Sequence, residues 1–376
     1  VTIESPVSGA VKQASIKDSG SLIASTIPYQ TLSRSAEAGG QAFMKASQHV
    51  TKNNLKSHKR FIENLMVHGQ SDGRLGRPSY ETTTYRGVSL TAGAGTVNSI
   101  VFATGGVNTT SNHILLGRSF APSIWVGMEG CPINQLATDT IVGTGKLVTV
   151  DAENGTIEVD FTPTASSSAT SHNLGYPGQE SDQEMVGIQK ILTNTGSLFD
   201  INAAAYSLWK GTTANAYSTG TTPGLLTFAK LNAAVAKAVN RGGLEGDVCV
   251  FVNPRTWSTL LDDEAGLRRH QGGDMAGGEV KKGAESIKYY AQNGTIEIVP
   301  SNTVKENEAF ALRLEDWYRF GSADLSFKVP GAPDDLIFPL QNQTGFRFMS
   351  FASQCILCSA PAKSIYIQNI DDEATT

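Results

Sequence analysis

The sequence predicts an α+β fold, and three observations predict it. Residues 36–68 repeat apolar side chains at helical spacing. Two separate pairs of alternating segments flank an Asn-Gly dipeptide. Residues 227–261 read helix, strand, helix.

Taken in order, residues 1–35 are polar and Ser-rich, with Lys12 and Lys17 and no long apolar face. The alternation from Ser21 to Ile27 allows a short strand. A segment that cannot build its own core either dangles or packs on a neighbour. The helix of 36–68 places Phe43, Ala46, Val50, Leu55, Phe61, Ile62, Leu65 and Met66 at spacings near three, four and seven, with Gly69 as its stop at C′. Its middle is basic, through Lys45, Lys52, Lys56, Lys59 and Arg60; a solvated face is one reading of that run.

Residues 80–172 are β-rich. Leu147–Val150 and Thr156–Val159 alternate around Asn154-Gly155, a strong hairpin signal. Thr162–His172 is a Ser/Thr-rich loop or boundary. A mixed stretch, 173–225, is apolar at Met185, Ile188, Ile191 and Leu192. A second helix follows over 227–240, capped by Thr227, with Phe228, Leu231, Val235 and Val239 on one stripe and Gly242-Gly243 at its end. Val248–Val252 is a strand, and Asn253-Pro254 turns the chain into a short helix holding Trp257, Leu260 and Leu261. Residues 266–283 are a Gly-rich, charged loop. Strands at Ser286–Tyr290 and Thr295–Val299 join through Asn293-Gly294, and the tail, 304–370, is strand-rich.

The chain has 376 residues, 40% hydrophobic and only 17% charged, with a net charge of −5. Low charge suits a surface covered by copies of itself, because charge is depleted at interface centres. A protein whose dedicated task is gripping nucleic acid needs a dominant basic face, and composition offers none. No run of 18 apolar residues occurs, so no helical membrane span is expected. The opening Val1-Thr2-Ile3-Glu4 carries neither an initiator Met nor a signal-peptide pattern, so a Met or a longer leader precedes it or has been removed.

Motifs of catalysis are missing: no H-E-x-x-H, P-loop, dinucleotide fingerprint or G-x-S-x-G elbow occurs. Gly145-Lys146 lacks the upstream glycine spacing, and Leu147 stands where a magnesium-binding hydroxyl belongs. Cys355-Ile356-Leu357-Cys358 lies in a strand pattern, where residues three apart face opposite ways and the sulfurs diverge. Cys131 and Cys249 complete a set of four cysteines too irregular for a disulfide scaffold, and reduced thiols are expected. The six histidines are scattered, and Asp262-Asp263-Glu264 beside Arg268 and Arg269 suits a helix end or a neighbour contact better than acid–base work. No enzyme activity, cofactor or metal is expected.

Several strings, weak singly and persuasive in order, carry a resemblance. They are Glu63–Gln70, Asn194–Phe199, Ser207–Gly211, Val252–Trp257, Arg319–Asp324, Phe327–Gly331, Gln354-Cys355 and Pro361–Ile367. In this order, over about 36–370, the chain resembles the major capsid proteins of tailed bacteriophages, whose fold is named after phage Hong Kong 97. The resemblance implies an N-terminal arm and extended loop in 1–35 and a peripheral domain in 36–84 built on a long spine helix at 41–68. It implies an inserted β-rich domain in 85–172, a peripheral/axial connection in 173–225, an axial domain in 226–303, and peripheral strands with the C-terminus in 304–376. It further implies self-assembly into pentamers and hexamers of an icosahedral head, in the virion after assembly in the bacterial cytoplasm. The implied partners are copies of itself, portal, scaffold and decoration proteins, and packaged DNA touched without sequence preference. Lys12, Lys17, Arg268 and Arg269 are candidate assembly contacts, and the basic helix face becomes a candidate wall surface looking at DNA. An encapsulin-like compartment and a β-rich glycan-binding module are the alternatives.

Overall fold

A computed structural model describes residues 13–30, 40–70, 75, 84–85, 88–89, 113–115, 122–137, 140–152, 156–161, 172–177, 184–262, 287–291, 293–327, 337–339 and 345–372. The elements used below are β1 (Ser19–Pro28), α1 (Gly40–His68), β2 (His113–Leu115), β3 (Pro132–Ala137), β4 (Thr140–Asp151), β5 (Thr156–Val159), β6 (His172–Gly175), α2 (Ile188–Thr193), β7 (Thr212–Asn215), α3 (Phe228–Gly242), β8 (Val248–Val252), α4 (Pro254–Asp262), β9 (Ile287–Ala291), β10 (Gly294–Pro300), β11 (Glu308–Leu312), β12 (Trp317–Ser326), β13 (Ile337–Pro339), β14 (Gly345–Cys358) and β15 (Ile365–Gln368). Helix and strand segregate into an α+β arrangement of three main sheets around one long helix, which is the fold class the sequence predicts.

The largest sheet has six strands in the order β7-β15-β11-β8-β10-β9. β8 runs parallel to β10 and antiparallel to β11. Its alternate residues Val248, Val250 and Val252 are buried against Phe228, Leu231 and Val235 of α3 and Leu260 of α4. Each such side chain contributes roughly 1.5–3 kcal/mol by leaving water. α3 begins where the sequence places it: the Thr227 hydroxyl accepts from Lys230 N at 3.4 Å, and Gly243, at φ 62°, donates its N–H to Val239 O. The opposite face of the sheet, through Phe251, Phe310, Leu312 and Tyr366, packs on Leu192 of α2 and Val304. Central β11 is therefore buried along its whole length. The β9–β10 hairpin closes through Ala291 opposite Gly294, at the expected Asn293-Gly294.

The tail is divided between sheets. Glu308–Leu312 and Ile365–Gln368 join the six-stranded sheet, whereas β12, β13 and β14 form a second sheet with β1. β1 runs antiparallel to β14 from Ser19 opposite Gln354 to Pro28 opposite Gly345. The expectation that this leading segment must dangle or find a neighbour thus does not hold for Ser19–Pro28, because its backbone is paired within its own chain. Asp18 fastens the entry: its carboxylate accepts from Ser322 Oγ (2.8 Å) and Ser353 Oγ (2.6 Å), and these hydroxyls hold its pKa below the usual carboxylate value.

The third sheet, β2-β5-β4-β3-β6, occupies much of the β-rich region. β4 and β5 pair on either side of the predicted hairpin, with Val150 opposite Ile157. Residues 153–155 and the 266–283 loop lie outside the described residues. One face of this sheet, through Ile133, Leu147, Ile157, Val159 and Leu174, buries Phe61 and Leu65 of α1 together with Trp125 and Tyr176. Within the described residues the sheet shares its core with the long helix.

α1 spans 29 residues, about 44 Å at 1.5 Å per residue. Its end differs from the expectation. Gly69 still donates to Leu65 O at 2.8 Å, and Gln70 takes the left-handed conformation at φ 55°. Gly69 is required for another reason: a Cβ there would collide with the Met185 carbonyl and lie 2.6 Å from Leu65 O, while Gly187 N donates to Gly69 O at 3.0 Å. Backbone on both sides cannot swing away as a side chain could. Gly69→Ala is expected to cost about 1–3 kcal/mol, the usual range for overpacking. Chemical denaturation at neutral pH would measure it, and a loss below about 0.5 kcal/mol would mean the 184–187 segment yields freely.

Candidate functional site

Among the described residues, titratable and nucleophilic groups offer little chemistry. Among the described residues no group of three or more His, Cys, Asp or Glu side chains could hold a metal ion. The four cysteines are free thiols. Burial pushes Cys131 and Cys358 up to about 12 and Cys249 and Cys355 to about 11, which leaves them unreactive at neutral pH. Cys355 and Cys358 sit on β14 and both are buried. Gly145-Lys146 lies inside β4. No helix among the described residues is long and apolar enough to cross a membrane.

The buried stripe of α1 is where polar chemistry concentrates. Asn54, His58, Phe61, Leu65 and His68 follow one another at spacings of four, three, four and three, and all are buried, with Asn64 beside them. Four of these six are polar, and each finds partners far away in sequence. Asn54 Nδ2 donates to Ser25 Oγ of β1 at 2.8 Å, and Ser350 Oγ of β14 donates to Asn54 Oδ1 at 2.6 Å. His58 Nδ1 lies 2.7 Å from Ser350 Oγ and its Nε2 2.8 Å from Ser21 Oγ. Since the Ser350 hydroxyl proton serves Asn54, His58 carries its own proton on Nδ1 and accepts at Nε2. Asn64 Nδ2 donates to Ile124 O (3.0 Å) and Tyr176 Oη (3.2 Å) beside the third sheet.

His68 closes the stripe on the six-stranded sheet. Its Nε2 donates to Thr303 O at 2.6 Å. Its Nδ1 lies 3.2 Å from Gln189 Oε1 of α2 and 3.5 Å from Glu308 Oε1 of β11. Tyr366 Oη of β15 donates to Glu308 Oε2 at 3.0 Å. Burial lowers His68 to about 3, which leaves it neutral at neutral pH, and burial raises Glu308 above the usual carboxylate value. Lys305, itself buried, lowers both groups by its charge. The effect of the whole stripe is mechanical: one helix is bolted by directional hydrogen bonds to β1 and β14, to the third sheet and to the six-stranded sheet. Hydrophobic periodicity marks the apolar members of α1 and leaves these polar ones unmarked. The four-three spacing of Asn54, His58 and His68 with Phe61 and Leu65 is the signal in the sequence that could have found them.

The surface carries large apolar side chains. Leu22, Tyr29, Leu208 and Leu314 are each half exposed, Tyr290 is 88% exposed, and Tyr318 and Phe320 stand together on β12 with rings 6.2 Å apart. A groove of about 620 Å³ runs between β1, α1 and the 128–132 turn, lined by Leu22, Ile23, Asn53, Phe61, Cys131 and Tyr176 among others. A tight turn joins the two-residue strands Ser197–Leu198 and Ile201–Asn202. Both of its residues, Phe199 and Asp200, are left-handed without being glycine, and Phe199 O accepts from Ser15 N at 3.1 Å. Of the candidate assembly contacts, Lys17 is exposed in the run leading into β1. Lys12, Arg268 and Arg269 lie outside the described residues.

No curated protein matches the chain. Solved structures similar to it include the capsid asymmetric unit of cyanophage A-1(L), at 11% identity and a TM-score of 0.36, covering 50% of this chain and 61% of that one. The satellite phage P4 procapsid with its size determination protein is similar at 9% identity and a TM-score of 0.37, covering 99% and 79%. The holo-SrpI encapsulin complex of Synechococcus elongatus PCC 7942 is similar at 10% identity and a TM-score of 0.28, covering 44% and 55%. The chain spans about three fifths of the length of the cyanophage capsid chain. By sequence, residues 167–319, which supply α2, α3, α4 and five of the six strands of the largest sheet, match the family described as SU10 major capsid protein.

Proposed function

We propose that this chain is the major capsid protein of a tailed phage, a building block that tiles an icosahedral head around a double-stranded DNA genome. The match of residues 167–319 to the SU10 major capsid protein family carries this reading. The surface supports it physically. Exposed Leu208, Leu314, Tyr318 and Phe320 are apolar and aromatic side chains of the kind that protein surfaces cover when they meet, and head-to-tail contacts between identical copies close into rings. Burial at such contacts contributes about 25 cal/mol per Å² of apolar surface, so repeated ordinary interfaces stabilise a large shell. Function then lies in packing, with no reaction performed.

In this reading α1 is the spine helix of the peripheral domain, β1 lies in the N-terminal arm and extended loop, residues 226–303 with α3, α4, β8, β9 and β10 are the axial domain, and the strands of 304–376 belong to the peripheral domain. The third sheet is the inserted β-rich element of 85–172. Pentamers and hexamers are the assembling units, Lys12, Lys17, Arg268 and Arg269 lie at contacts between copies, and portal, scaffold and decoration proteins are the further partners. Assembly takes place in the bacterial cytoplasm and the product resides in the virion.

Size-exclusion chromatography with negative-stain microscopy tests this. The full chain, with scaffold if required, is expected to elute as megadalton particles or as five- and six-membered rings. A protein that stays monomeric at high concentration and binds glycan would overturn the reading in favour of a β-rich binding module.

A further inference from the structure

We propose that the outward face of α1, presented by Lys52, Lys56 and Lys59, is the surface on which double-stranded DNA rests its phosphates. The proposal rests on the capsid reading for its setting. The twenty-five residues from Ala38 to Ile62 contain five basic side chains and no acidic one, in a chain whose net charge is −5. At 100° per residue, Lys52, Lys56 and Lys59 fall on the side of the helix opposite Asn54, His58, Phe61 and Leu65. The buried side is fixed to the body by the hydrogen bonds of Asn54 and His58. The lysines are therefore held outward by the fold, and all three are exposed.

Among the described residues these charges find one weak partner. Lys59 makes a 3.7 Å pair with Glu63 in which the side chains are 72% and 49% exposed, a weak surface pair. Lys52 and Lys56 make no ion pair among the described residues. The character of the face separates DNA from another copy of the chain as its partner. Interfaces between proteins are enriched in aromatic residues and depleted in lysine. None of the exposed large apolar residues described lies on α1. Three ammonium groups along about 10 Å of helix, with no apolar contact between them, suit a regular row of phosphates, which require charge and no particular base.

The test uses full-length protein and a labelled duplex of about 30 base pairs and random sequence, long enough to span several helical turns. Affinity is followed by fluorescence anisotropy at increasing salt. The variants are Lys52→Gln/Lys56→Gln/Lys59→Gln and, as a control with the same change in charge, Lys146→Gln/Lys237→Gln/Lys288→Gln. Removing one lysine–phosphate pair lowers the slope of log affinity against log salt by about 0.9. Between about 50 and 200 mM salt, wild type should thus weaken in affinity by roughly 40-fold more than the α1 variant, while the control keeps the wild-type slope. An unchanged slope in the α1 variant, an equal fall in the control, or no DNA binding by wild type would overturn the proposal. Particle formation by wild type and variants, scored separately by sedimentation, judges the capsid reading. Particles with an unaltered DNA slope sink only the α1 face, and a DNA slope that falls as expected without particles sinks only the shell.

Discussion

Trp125→Ala is expected to destabilise the protein by roughly 3–5 kcal/mol and to loosen the third sheet from the long helix. Trp125 is fully buried, with its ring 5.5 Å from Tyr176. Tyr176 in turn lies 4.3 Å from Phe61 of α1. Truncation leaves a void between sheet and helix, and the carbonyl of the adjacent Ile124 is tied to Asn64, so the walls cannot simply close over it. The cost should therefore fall toward the upper part of the range. Denaturant unfolding gives the magnitude, and limited proteolysis gives the location: cleavage within 122–177 should accelerate before cleavage within 212–262. A loss under about 1 kcal/mol, or proteolysis accelerated equally everywhere, would show that the sheet does not depend on this aromatic contact.

Replacing His68 by Gln is expected to change how stability depends on pH. His68 is buried and neutral, with its pKa lowered from 6.5 to about 3 chiefly by loss of hydration. As pH falls below 6.5 the unfolded chain takes up a proton on this residue and the folded chain does not. Stability contributed by the neutral, hydrogen-bonded form is full above about pH 6.5 and declines by about 1.4 kcal/mol per pH unit until the folded group also titrates. His58, lowered to about 4 by burial, acts in the same direction. Glu308, whose pKa burial raises, and Asp372, raised by burial to about 6, act in the opposite direction, because the folded state accepts their protons first. The difference between wild type and His68→Gln isolates the single group. From roughly pH 6.5 to 4.5 the wild type should lose about 2 kcal/mol relative to the variant. Parallel unfolding curves at about pH 7, 6, 5 and 4.5 would reveal it. Equal pH slopes would mean that His68 is solvated or charged in the folded protein.

What the sequence determined by itself is what neighbours along the chain can enforce. Thr227 and Gly243 bound α3 because a cap and a left-handed residue act within four residues of the backbone they serve. Alternation around Asn154-Gly155 and Asn293-Gly294 implied two hairpins because a tight turn fixes the register of the strands beside it. The fold class and the existence of α1 followed from the same short-range periods. Of the strings that carried the family resemblance, Asn194–Phe199, Ser207–Gly211 and Val252–Trp257 lie inside the family match of 167–319.

The tertiary structure alone decided which strands meet and which polar groups are buried. β1 pairs with a strand more than 300 residues away, and nothing within Ser19–Pro28 names that partner, since an edge of free N–H and C=O groups accepts any compatible strand. The tail reads as one strand-rich stretch, yet its strands go to two different sheets. Asn54, His58, Asn64 and His68 look like surface residues until Ser25, Ser350, Tyr176 and Thr303 supply their hydrogen bonds. A buried polar group is tolerated only when its partner is present. Its partner's position is set by the folding of the whole chain, which no local pattern records.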